Sequence, residues 1–192
     1  MKTKFNDFLS KMLHSFSHKD IAVTPEVKDH VEYVLIGDSL IPNLDGSQLI
    51  YQQKSLFNIG TCDEFKKIGL NRNKKTTPET MLSCYEIRSM GRYGKNLKAL
   101  PGNWSQKCVT QHQVINFCQQ SRNLLTTRHD ASTMFLCKIN ENKPINEVRP
   151  YDNLIVASVY VHDKGLHIVC FPLHFGDTFR NQYFYRIVMP KI

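Results

Sequence analysis

The chain has 192 residues, 41% of them hydrophobic, with 11 Phe, 8 Tyr and one Trp, enough apolar material for one packed domain and too much for a disordered one. A net charge of +8 and a pI close to 9.2 favour anionic partners, either nucleic acid or an anionic surface. No apolar run reaches the length of a transmembrane segment, and six Cys without a CxxC pair exclude the common zinc and redox frameworks.

The N-terminal stretch carries Phe5, Phe8, Leu9, Met12, Leu13 and Phe16 at spacings of three and four, which predicts an amphipathic helix within residues 1–20. It lacks a continuous apolar core and a small-residue cleavage site, so no cleaved signal peptide is expected. The protein is therefore expected to be cytoplasmic when made, with any delivery out of the cell by a signal-peptide-independent route. Residues 21–192 are expected to form a single α+β domain.

Residues 31–36 read as a short strand, followed by Gly37, Asp38, Ser39 and Leu40. These letters resemble the opening block of the GDSL hydrolases, whose serine is a nucleophile. The later Gly-x-Asn-Asp and Asp-x-x-His of that family are missing, so Gly37–Ser39 is expected to be a turn after the strand. Segments 47–58, 61–68 and 77–90 read as helices, the last introduced by Thr77, Pro78 and Glu79. A loop rich in glycine over 90–104 then leads to Cys108, which is expected to open the longest helix of the chain. A cysteine at a helix N-terminus meets orphan N–H groups and the positive dipole end, both of which favour a thiolate.

Beyond residue 131 the period changes. Segments 132–139, 153–161, 166–171 and 182–189 are rich in β-branched and aromatic residues and read as strands, with a hairpin turn over 162–165. The predicted architecture is a helical N-terminal half packed on a C-terminal antiparallel sheet. In the third strand, alternation places His167 opposite the apolar Leu166, Ile168 and Cys170.

A cysteine at a helix start with a strand histidine resembles the papain-fold amidases of the NlpC and CHAP kind. The shared features are Lys107-Cys108-Val109, then Pro150-Tyr151-Asp152-Asn153-Leu154, then His167-Ile168-Val169. The resemblance implies a papain-like cysteine hydrolase (amidase, protease or deamidase), with Cys108 as nucleophile and His167 as base. Asp177, Asn181 and Gln182 are candidates to orient the ring, Asp177 first among them; Asn103 and Gln106 are candidates for an oxyanion hole. The implied substrate is a peptide or protein amide, in peptidoglycan or in a host protein, as for a bacterial effector or toxin. No cofactor and no metal are expected, although Cys108, His112 and Cys118, and separately His162, His167 and His174, carry metal-capable side chains. Two other readings stand beside this one. The first is a non-enzymatic basic protein that binds or inhibits through nucleic acid or an acidic partner. The second is a small ribonuclease toxin using His174, Thr178, Arg180 and Arg186.

Overall fold

A computed structural model describes residues 32–61, 65, 75–88, 91–128, 131–140, 142–146, 152–173, 178–179 and 185–192. The expected N-terminal helix lies outside these residues, as does most of segment 61–68. The strands are β1 (Tyr33–Ile41), β2 (Gly60–Thr61), β3 (Thr80–Ile87), β4 (Gly91–Arg92), β5 (Thr133–Lys138), β6 (Leu154–His162), β7 (Gly165–Pro172), β8 (Thr178–Phe179) and β9 (Tyr185–Pro190). Two α-helices are present among the described residues, α1 (Tyr93–Ala99) and α2 (Gln111–Gln120). Seven strands form one sheet in the order β1-β3-β9-β5-β6-β7-β2, and β4 pairs with β8 apart from it.

The sheet is mixed. β5 runs parallel to β9, β2 runs parallel to β7, and the remaining neighbours are antiparallel. This corrects the expected fold class: among the described residues no helical half packs on an antiparallel sheet, and no papain-like layout is present. Sheet dominates, and its longest covering helix has ten residues.

The largest departure from the predicted elements is at β3. Thr77, read as the start of a helix, instead exchanges backbone hydrogen bonds with Leu44 at 2.9 Å each, and the Glu79 N–H donates to Asn43 Oδ1. The free N–H groups of a helix start are thus taken by a neighbouring segment. The strand that follows lies between β1 and β9 and buries Leu82 and Cys84 toward one face and Ile87 toward the other. Covered on both sides, it shows no apolar–polar alternation, so its sequence does not announce a strand. Segment 47–58 likewise contains only a short 3-10 turn, Ile50–Gln52. Gly37, Asp38 and Ser39 are not a turn after a strand. They lie inside β1, where a bulge between Leu35 and Gly37 shifts the register against β3.

The C-terminal strands β5, β6 and β7 stand where their β-branched and aromatic residues predict. The hairpin also forms, His162 pairing with Gly165 across Asp163 and Lys164. Gly165 is required there: a Cβ would fall 1.7 Å from Asn58 Oδ1, and that side chain closes the turn by accepting from the Leu166 N–H and donating to the Lys164 carbonyl.

Each face of the sheet has its own core. On the first, α2 lays Val114, Ile115, Phe117 and Cys118 over Phe135, Ile155, Ala157 and Val188, with Phe117 and Phe135 packed edge to face at 5.6 Å. On the second, Leu97, Leu100 and Trp104 cover Met134, Leu136, Val156, Ile187 and Met189. Burial of apolar surface at ~25 cal/mol per Å2 makes these two layers the main source of stability.

Candidate functional site

Cys108 does not open a helix. It forms an isolated parallel bridge with Leu136 of β5, and the next N–H, from Val109, donates to the Leu136 carbonyl at 2.8 Å. The helix cap is Thr110, whose backbone is extended (φ −84°, ψ 161°) and which forms a capping box with Gln113. Cys108 therefore precedes the cap, beyond the first turn where the dipole acts. Its thiol is half-buried and donates to the Trp104 carbonyl at 3.1 Å.

His167 lies on β7, between Tyr160 of β6 and Gly60 of β2. Leu136 pairs with Val156, which pairs with Phe171, four residues from His167 along β7. Cys108 borders β5 on the side away from β6. On an ideal sheet this places it about three strand spacings across and four residues along from His167, roughly 20 Å in all. The structure therefore does not bring Cys108 and His167 within reach of proton transfer. Asp177, Asn181 and Gln182 lie outside the described residues, as do His174 and Arg180. The side-chain oxygens of Asn103 and Gln106 accept each other's backbone N–H groups at 3.0 and 2.9 Å, which builds a turn ahead of Cys108. Ser39 is buried between Ser121 Oγ at 2.5 Å and Gln120 Nε2 at 3.2 Å, a packing serine and not a presented nucleophile. Arg186 donates to the Leu124 carbonyl and faces Glu86, both in the wall of the first core. Among the described residues no three His, Cys, Asp or Glu side chains converge as a metal site.

Two places carry chemistry. The first is a cleft of about 200 Å3 at the foot of α2. Lys75, Thr77, Thr80, Ser105, Cys108, Thr110, Gln113 and Lys138 line it, closed by Pro78, Val109 and Pro190. Two lysines give it a cationic wall; of its four hydroxyls Thr80 donates to the Pro78 carbonyl at 2.8 Å and Thr110 serves the helix cap, while Thr77 Oγ1 is buried there with no hydrogen-bond partner. These residues come from four separate segments, so no sequence window shows them together.

The second is the end of the hairpin on the second face. His167 stands 6.2 Å, centre to centre, from both the Tyr160 ring and the His162 ring. Below them Ser132 and Ser158 are buried and share a hydrogen bond at 2.8 Å, and both hydroxyls also bond the Tyr160 phenol. Burial pushes that phenol upward from its ordinary pKa against the effect of the two serines. Burial, and then the positive charge of His162, pushes His167 below the ordinary histidine range. This grouping was legible: with the turn at Asp163 and Lys164, two-residue alternation sets Tyr160 and His162 on the face of His167.

The chain matches no protein-family model, no curated protein and no solved structure. No described helix is long and apolar enough to cross a membrane.

Proposed function

We propose that this chain is a basic binding protein for a phosphate-bearing polymer, with the cleft at the foot of α2 taking one phosphate of a nucleic acid. The observation that carries the reading is the cleft wall, in which Lys75 and Lys138 accompany the hydroxyls of Thr77 and Ser105. Lysine offers a compact charge with three donors instead of the planar fork of arginine, and hydroxyls on several sides suit a tetrahedral oxyanion more than a planar carboxylate. The net charge of +8 adds attraction from a distance.

The test is titration of a fluorescent single-stranded oligonucleotide against the protein over a range of salt concentrations. Affinity is expected to fall steeply with salt, and Lys75→Glu with Lys138→Glu should weaken binding at least 10-fold. Loss of that one phosphate contact should also flatten the salt slope by about 0.7. Lys54→Glu, a charge change of the same sign outside the cleft, should have a much smaller effect. Binding that ignores salt, or that responds equally to Lys54 and to the cleft lysines, overturns the reading.

A second reading, cysteine-based amide hydrolysis, is favoured by the half-buried Cys108 thiol on the cleft wall. It requires a base other than His167 as placed here. Iodoacetamide labelling against pH decides it. A thiol that reacts well below the reference pKa of about 8.5 supports hydrolysis. A Cys108 that titrates like a free thiol removes this reading and leaves the binding protein.

A further inference from the structure

We propose that His162 and His167 form an acid–base pair that cleaves single-stranded RNA by transphosphorylation, at the hairpin end of the sheet and apart from the cleft. The two imidazoles stand on the two strands of one hairpin, on the same face, with ring centres 6.2 Å apart. That separation lets one ring nitrogen from each reach a different oxygen of a phosphate lying between them. The rings differ in setting, as acid and base must. His167 is half-buried and His162 is exposed.

Burial and the neighbouring charge favour the neutral form of His167, which suits the base. Among the described residues the groups facing it include the Tyr160 phenol and His162 from β6, while β2 contributes the uncharged Gly60. Tyr160 is itself held by Ser132 and Ser158, so the platform beside the pair is rigid.

The chemistry balances without a further reactant. His167 takes the proton of a ribose 2′-hydroxyl, and the 2′-oxygen forms a bond to the adjacent phosphorus. The bond from phosphorus to the 5′-oxygen breaks, and the His162 imidazolium gives its proton to that oxygen. The products are a 2′,3′-cyclic phosphate and a free 5′-hydroxyl. The pair supplies only acid and base, so the nucleophile belongs to the substrate. That requirement selects RNA over DNA.

The test incubates the purified full chain with a fluorescent single-stranded RNA, and with DNA of the same sequence, in the presence of EDTA. RNA should be cut to fragments ending in a cyclic phosphate while DNA stays intact, with a bell-shaped dependence of rate on pH. His162→Gln and His167→Gln should each slow cleavage about 100-fold or more, and each should remove one limb of the pH profile. His162 is exposed, so His162→Gln keeps the fold and decides the question if His167→Gln melts. Intact RNA after incubation with the wild-type protein overturns the proposal. So does cleavage that EDTA abolishes, that extends equally to DNA, or that persists unchanged in His162→Gln.

Discussion

His112 shows how a single buried side chain couples protons to folding. It is 7% exposed on the first turn of α2, and its Nδ1 lies 3.4 Å from Asp45 Oδ1 without a formed hydrogen bond. Burial lowers its pKa, and the Asp45 charge only partly offsets this. A lowered histidine pKa means that the unfolded chain takes up a proton first as pH falls. Stability should therefore decline from about pH 6.5, the unfolded value, down to the lower folded value, and then level off. His112→Gln should flatten that decline in urea melts run at several pH values between 7.5 and 5. An unchanged decline would show that other groups set it, and His167, lowered in the same direction, is the first to examine. The buried thiols follow the same rule with opposite sign. Burial raises Cys84 to about 12, with Arg186 opposing and Glu86 adding to the rise, so this cysteine is an inert part of the core at neutral pH.

At the level of the element, α2 is held at its start by side chains more than by composition. Its first turn, Gln111, His112 and Gln113, is polar yet buried. Gln111 uses its side-chain carbonyl to accept the Ile50 N–H at 3.1 Å, and Gln113 closes the capping box by accepting from the Thr110 N–H at 2.9 Å. Thr110→Ala is expected to cost about 1 kcal/mol, read as a lower urea midpoint with an unchanged slope, and Thr110→Ser should recover most of it. A loss no larger than that of an exposed threonine would mean that packing alone holds the helix start. The cap explains why Cys108 is misplaced by sequence reading. Thr110, with Gln113 three residues on, is a capping signal in plain view, and it sets the helix start after the cysteine.

Across the whole molecule, the elements that local pattern determined are those with a distinctive period or a tight turn. The strands β5, β6 and β7 are dense in Val, Ile, Leu and aromatic residues, and the Asp163-Lys164 turn fixes their hairpin, so Tyr160, His162 and His167 come together through contacts close in sequence. The helix α2 was legible for the same reason, from its apolar stripe. Tertiary structure decided the rest. β3 became a strand because Leu44 and Asn43 captured its entrance and because β1 and β9 covered both its edges. Burial on both faces erases the alternation that marks a strand. The separation of Cys108 from His167 was likewise invisible in the chain. It depends on which strands lie between them, and strand order is set by packing between distant segments, which no local window contains. The cleft has the same origin: Lys75 and Lys138 meet because the segment before β3 and the end of β5 both reach the foot of α2. Period and turn chemistry thus determined the strands and their hairpin, while long-range pairing, which costs chain entropy and is stabilised only by the assembled core, decided which reactive groups face one another.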